Sequence, residues 1–258
     1  MLELSVSGLL HAFTEWKTWF VILVTLLSGV MRGFSGFGGA LIFVPLASAA
    51  LGPRIAVPTF YLADLGSATP YGLAMMRRCR WDMVGPMLAG SWLGQPFGAA
   101  MLQEIDPLLL RWGMAGMVFL MLAILLTGWR FTGEQRTWLT FLIGLSSGLM
   151  GSATGIAGPL VIAYWMSGRG DAATMRANIM VFYALTSISA DLIFFWKGIF
   201  TREAVFYALI FWPGYTIGIA AGARLFKIAP EKTFRQVAYA VMAISAIASM
   251  PLFDGLIR

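Results

Sequence analysis

Two glycine-rich stretches of the sequence match each other in composition and order. Residues 28–39 read SGVMRGFSGFGG, and residues 147–158 read SGLMGSATGIAG. Both stretches begin with serine and glycine, both carry a hydroxyl residue directly before a glycine, and both lead into an apolar run. A match of this kind in two parts of one chain indicates an internal duplication.

The duplication extends well beyond these two stretches. After a short insertion, the register pairs Gly94 with Gly218 and continues in the same order towards the end of each half. Small residues match by chance in a glycine-rich chain, but chance does not readily keep them in order over half of a protein. The sequence therefore predicts two homologous halves, residues 1–130 and residues 131–258.

The composition is that of a membrane protein. Hydrophobic residues make up 59% of the chain and charged residues 12%, against roughly 25% charged residues in a soluble domain. Apolar stretches such as Pro107–Trp129 and Val205–Leu225 have about the 20 residues that a spanning helix needs. We therefore expect an all-α polytopic protein of the cell inner (cytoplasmic) membrane, with the lipid bilayer as its surroundings.

Each half contains five apolar segments. They are Trp16–Met31, Gly38–Leu51, Ala56–Met76, Met83–Gln103 and Pro107–Trp129, then Gln135–Met150, Ile156–Ser167, Arg176–Trp196, Ala204–Phe226 and Glu231–Leu252. The first two segments of each half are short, and a glycine-rich break separates them. The pattern predicts a short broken or re-entrant helical hairpin in each half, followed by three spanning helices.

The distribution of basic residues favours an inverted relation between the halves. The net charge is +6, and most lysines and arginines lie in the short connections, as expected from membrane orientation rather than nucleic-acid binding. If each short pair returns to its own side, residues 77–80 and 224–235 lie on one side with most of the basic residues. The positive-inside rule then places this side in the cytoplasm and both termini outside it.

Several classes of active site are unsupported by the sequence. The single cysteine, Cys79, excludes an internal disulfide and a cysteine metal cluster. Residues 33–36 match the G-x-S-G of an intramembrane serine protease, but the only histidine, His11, precedes the first span. No zinc-protease, Walker A or dinucleotide motif is present. We expect no enzymatic activity, no metal and no cofactor.

The two breaks are candidate anion sites. A helix N-terminus has unpaired backbone N–H groups and the positive end of the helix dipole, which together favour an anion. The simpler alternative is that small residues allow close helix packing. The candidate substrate-binding residues are Arg32, Ser35, Gly36, Gly38, Gly39, Thr154, Gly155, Gly158 and Asn178.

Three charged residues at the first break or within apolar segments need an explanation. Arg32 is either an interfacial arginine that reaches the membrane surface or a counter-charge for the substrate. Asp64 either pairs with an arginine or carries a coupling proton, since a buried carboxylate in a membrane is costly unless it has a function. Asp191 lies nearer to the end of its segment, and we expect it to be structural.

The motif and its duplication resemble those of a known family. Residues 33–39 read GFSGFGG and lead to Pro45, residues 148–159 echo the motif, and Asn178 lies in the third segment of the second half. Over essentially the whole chain, these features resemble the sulfite exporter TauE/SafE family of membrane permeases. The resemblance implies transport of sulfur-containing anions across the cytoplasmic membrane.

We therefore expect a secondary transporter for a small anion, such as sulfite, thiosulfate or an organosulfonate, that works by alternating access. Two alternatives stay open: a permease for another small metabolite, and a membrane scaffold that transports nothing. The chain contains 18 Lys and Arg residues against 12 Asp and Glu residues, which argues against a cation site. A scaffold would not need two helix starts directed into the bundle.

Overall fold

The computed structural model describes residues 16–36, 38–129, 131, 133–165, 172–228 and 231–253. Within these ranges the regular structure is helical and contains no strand, which confirms the all-α prediction. The helices are α1 (Trp16–Ser35), α2 (Gly39–Leu51), α3 (Pro53–Ser67), α4 (Thr69–Ala74), α5 (Trp81–Glu104), α6 (Pro107–Thr127), α7 (Thr137–Thr154), α8 (Gly158–Trp165), α9 (Ala172–Trp196), α10 (Arg202–Ile228) and α11 (Glu231–Ser249).

Among the described residues, four helices are long and apolar enough to cross a membrane. They comprise Trp16–Ser35, Pro107–Thr127, Ala173–Trp196 and Arg202–Leu225. Large apolar side chains also cover the outside of the bundle, and Phe195, for example, is 73% exposed. Such a surface is unfavourable in water but suits lipid, so the chain is a multi-pass membrane protein.

Each predicted half contains a helical hairpin, formed by α1 with α2 and by α7 with α8. The predicted ends of the first helices, Met31 and Met150, are too early, because each helix continues for about another turn. Each helix ends where a glycine adopts the left-handed conformation, with φ of +79° at Gly36 and +73° at Gly155. Glycine is the residue that takes this conformation without steric cost.

The predicted segment Ala56–Met76 is not one continuous helix. It forms most of α3 and all of α4, which meet at Ala68. Pro70 lies in the first turn of α4, and a proline has no N–H to continue the helical bonds of α3. Proline therefore divides the segment without reversing the chain.

Two glycine-lined crossings hold the hairpins in place. Helix α1 crosses α10, and a Cβ on Gly29 would lie only 2.5 Å from the carbonyl oxygen of Tyr215. Helix α7 crosses α5, and a Cβ on Gly148 would lie 2.1 Å from the carbonyl oxygen of Ser91. At both crossings, backbone meets backbone, which requires the smallest residue. The hairpin of each predicted half thus packs against the fourth segment of the other.

Candidate anion-binding site

A cavity of about 50 Å³ lies between the starts of the two short helices α2 and α8. Gly38 and Ala40 line it at the start of α2, and Ala157 and Gly158 line it at the start of α8. Gly38 precedes α2 in a left-handed conformation and provides no side-chain cap. Two helix starts therefore face one space, where their backbone N–H groups and dipoles favour negative charge.

Matching hydrogen bonds stabilise the two breaks. The hydroxyl of Ser28 donates to the carbonyl oxygen of Gly39 at 2.8 Å, and the hydroxyl of Ser147 donates to that of Ala157 at 2.9 Å. Ser28 and Ser147 are paired in the sequence repeat. Each bond joins the first helix of a hairpin to the start of the second, so these serines hold both helix starts at the cavity.

Arg32 lies inside the bundle and lines the cavity. Its side chain is 12% exposed, and it donates from Nη2 to the Oδ2 atom of Asp64 at 3.3 Å. A second bond runs from Nη1 to the carbonyl oxygen of Gly36 at 3.2 Å, and the guanidinium lies 5.5 Å from the ring centre of Tyr183. Of the two interpretations of Arg32, this geometry favours the counter-charge over a side chain that reaches the membrane surface.

Asp64 also lines the cavity, and all its described partners are donors. Besides Arg32, the hydroxyl of Tyr215 donates to Oδ1 at 2.9 Å and that of Ser187 donates to Oδ2 at 3.2 Å. The carboxylate is 1% exposed. Three donors, one of them an arginine, thus replace the water that this carboxyl group loses on burial.

The hydroxyls of Ser35 and Thr154 are not among the groups that line the cavity. Ser35 donates to the carbonyl oxygen of Met31 at 2.7 Å, and Thr154 donates to that of Met150 at 2.7 Å. Such bonds to the preceding helical turn are common for serine and threonine. In this conformation both hydroxyls are donated within their own helices, and their binding of substrate stays a prediction.

The remaining glycines of the predicted site lie in different surroundings. Gly155 lines the same cavity as Arg32, whereas Gly36 lines a second cavity of about 120 Å³ together with Arg32 and Arg176. Gly39 is buried, and a Cβ there would lie 2.9 Å from the hydroxyl of Tyr215. Arg32 therefore contributes to the lining of both cavities.

Asn178 lies away from the cavity and contacts the backbone of another segment. Its Oδ1 atom accepts a hydrogen bond from the backbone N–H of Arg80 at 2.8 Å. Thr59, its partner in the sequence repeat, makes a comparable bond to the carbonyl oxygen of Ala204 at 3.2 Å. Each side chain thus holds the start of a helix from the other predicted half, and a direct role of Asn178 in binding stays a prediction.

Three cavity-lining side chains were not recognised in the sequence. The hydroxyls of Ser91 and Tyr183 and the Oε1 atom of Gln95 are buried without a hydrogen-bond partner among the described residues. Gln95 donates from Nε2 to the carbonyl oxygen of Thr186 at 2.9 Å. Ser91 and Gln95 lie one helical turn apart on α5, and this spacing in an apolar segment is the signal that could have identified them.

The described residues contain no group of three histidine, cysteine, aspartate or glutamate side chains that could hold a metal ion. His11 lies outside the described residues. The described polar groups at the cavity comprise one balanced ion pair, hydroxyls that can donate or accept, and the acceptor Oε1 of Gln95.

Comparisons with known proteins identify relatives of the chain. The family model described as "Sulfite exporter TauE/SafE" matches residues 21–249. The "Probable inner membrane transporter protein TsaS" of Comamonas testosteroni is 28% identical over 196 residues, which cover 73% of this chain and 78% of that protein. No solved structure matches the chain.

Proposed function

Because this chain belongs to the sulfite exporter TauE/SafE family, we propose that it is a secondary transporter of a small sulfur-containing anion. The substrate is sulfite, thiosulfate or an organosulfonate, and it crosses the inner membrane by alternating access. The observation that carries this proposal is the largely buried, cavity-lining Arg32, which lies between two helix starts. We assign the chain no enzymatic step and no cofactor.

The proposed site recognises the anion through donors of three kinds. Arg32 supplies a charged, planar donor that suits the oxygens of sulfite or a sulfonate. The starts of α2 and α8 supply backbone N–H groups, and the hydroxyls of Ser91 and Tyr183 have no other described partner. Several convergent donors compensate for the lost hydration of a small oxyanion.

The size and charge of the cavity are consistent with this substrate class. One water needs roughly 10–15 Å³ on the same scale, so a cavity of about 50 Å³ has room for a few such groups. A compact oxyanion, or the sulfonate end of a larger one, fits this space. Asp64 balances Arg32 while the site is empty, and the incoming anion then competes with this carboxylate for the guanidinium.

The second cavity supplies the proposed access route. It is lined by Arg32, Gly36, Tyr71 and Arg176, of which Tyr71 and Arg176 are exposed. A Cβ on Gly36 would lie 3.7 Å from Nε of Arg176, so the glycine break separates the two arginines. We assign the anion a path from Arg176 past Gly36 to Arg32, with movement of the hairpin opening the way.

The inverted arrangement of the halves leads to a prediction about topology. Residues 1–130 and 131–258 form the two repeats, and the basic residues around positions 78 and 224 lie on the cytoplasmic side. In a Cys79→Ser background, cysteines introduced at Arg78 and at Arg224 are expected to react with a membrane-impermeant maleimide from the same side of the membrane. Labelling from opposite sides would contradict the inverted arrangement.

The width of the cavity leads to a second prediction. A Cβ on Gly158 would lie 3.0 Å from the hydroxyl of Tyr183, so Gly158→Ala narrows the space for the anion. We expect a higher KM for sulfite and little change in the amount of folded protein, because a side-chain end is easier to displace than backbone. Gly116→Ala is the matched control, since no atom lies within 4 Å of its added Cβ.

Flux into proteoliposomes tests the proposed function directly. Purified protein is reconstituted, and uptake of sulfite, thiosulfate, sulfoacetate and a panel of cations and neutral metabolites is measured. We expect saturable uptake of one or more sulfur-containing anions. Uptake confined to cations or neutral metabolites would favour another permease, and absence of uptake for every compound would favour a scaffold.

A further inference from the structure

Asp191 is a buried carboxyl group that the proposed anion site does not use. It lies on α9, is 7% exposed, and neither carboxyl oxygen has a hydrogen-bond partner among the described residues. Asp64, by comparison, accepts bonds from three side chains. The structural role expected of Asp191 requires a partner for its charge, and the described residues provide none.

The titratable groups that interact electrostatically with Asp191 are acidic or neutral, namely Asp64 and Tyr61 on α3. The other titratable side chains on the helices that pack against α9 are Tyr71 on α4, Asp82 and Glu104 at the ends of α5, Tyr164 on α8 and Arg54 at the start of α3. Arg54 is exposed and donates to the carbonyl oxygen of Leu102, and the exposed Lys197 follows the end of α9. On α9 itself, Arg176 lies four turns away and Tyr183 lines the cavity.

We propose that Asp191 binds the proton that is coupled to anion transport. An ionised carboxylate without donors is strongly unfavourable inside a protein, whereas a proton on one oxygen removes the charge with no further ligand. Both oxygens of Asp191 lack a donor among the described residues, so a proton is the simplest group that compensates the charge. This inference rests on the proposed function, because the coupled substrate is the anion.

One turn of α9 connects the proton site to the anion cavity. Ser187 lies four residues before Asp191, lines the cavity and donates to Asp64. A negative Asp191 one turn from the cavity repels an incoming anion, and protonation removes this repulsion. Proton and anion therefore bind together, and by linkage each raises the affinity for the other. Lower pH therefore increases the affinity for the anion. The proton and the anion cross the membrane in the same direction.

The test compares sulfite transport at several pH values in the parent protein, Asp191→Asn and Asp82→Asn. Asp82 is an exposed partner of Arg80 and serves as the control. In the parent and the control we expect KM to rise with pH by up to about tenfold per unit, the limit for one linked proton. In Asp191→Asn, which keeps a neutral side chain, KM is expected to stay near its low-pH value.

A second measurement does not depend on transport. Infrared difference spectra between low and high pH are expected to contain a carboxylic-acid C=O band that disappears in Asp191→Asn and persists in Asp64→Asn. An unchanged pH dependence and an unchanged band in Asp191→Asn would overturn the proton site, while the parent still transports sulfite. Absence of anion transport in the parent at every pH would instead overturn the proposed function, and the coupling with it.

Discussion

Replacing Arg32 with glutamine is expected to raise the KM for sulfite about ten- to a hundredfold. A hydrogen bond to a charged group contributes about 1.5–3 kcal/mol, and each 1.4 kcal/mol is tenfold in affinity. Binding to reconstituted protein and the initial rate of uptake measure the effect. Arg54→Gln is the matched control, because Arg54 donates to the carbonyl oxygen of Leu102 outside the cavity and is expected to leave transport unchanged.

Replacing Arg32 alone leaves the buried Asp64 without its arginine, which is expected to destabilise the folded protein. The double variant Arg32→Gln, Asp64→Asn removes both charges of the pair at 3.3 Å and is expected to fold better than the single one. It is also expected to lose sulfite binding, since the counter-charge is gone. Parental KM and rate in a folded double variant would place the anion site elsewhere.

Replacing Asp64 with asparagine is expected to have the opposite effect on affinity. The variant leaves the guanidinium of Arg32 without its carboxylate, and breaking a buried ion pair costs about 3–5 kcal/mol in the empty protein. A bound anion restores the balance. We therefore expect a lower Tm without anion, a larger rise in Tm on adding sulfite, tighter binding and slower turnover than in the parent.

Thermal unfolding with and without sulfite measures this effect, with Asp82→Asn as the control outside the cavity. An equal rise in Tm in the parent and in Asp64→Asn would show that the anion does not compete with this carboxylate.

The pH dependence of KM in Asp64→Asn tests which carboxyl group carries the coupled proton. If Asp191 carries the proton, Asp64→Asn keeps the pH dependence of KM, whereas a flat response would return the coupling role to Asp64.

Local residue patterns predicted where the helices lie but not, in every case, the residues at which they end. Continuous apolar runs predicted α6 and α10 closely, because hydropathy is a property of consecutive residues. The predicted helix ends at Met31 and Met150 were wrong, because neither residue is followed by a helix-terminating conformation. The left-handed glycines Gly36 and Gly155 are what terminate α1 and α7.

The candidate site was only partly accessible from sequence. Arg32 was identified because it opens the first glycine-rich break, and Asp64 because a charge within an apolar segment is unusual. Ser91, Gln95 and Tyr183 were missed because each is uncharged and lies in a largely apolar segment, although the first two are spaced one helical turn apart. Whether such a residue faces lipid or the cavity depends on the rotation of its helix against its neighbours. That rotation is fixed at the glycine-lined crossing of α5 with α7 for the first two.

Hydropathy and glycine content are local properties, so the order of the residues alone predicts a helical membrane protein with a repeated glycine break. Which polar groups contact each other depends instead on how the helices pack. Ser35 bonds within its own helix, whereas Arg32 pairs with Asp64 from another helix. Hydrogen-bond partners depend on distances of about 3 Å between atoms, and only the packing of helices sets such distances between residues far apart in the chain.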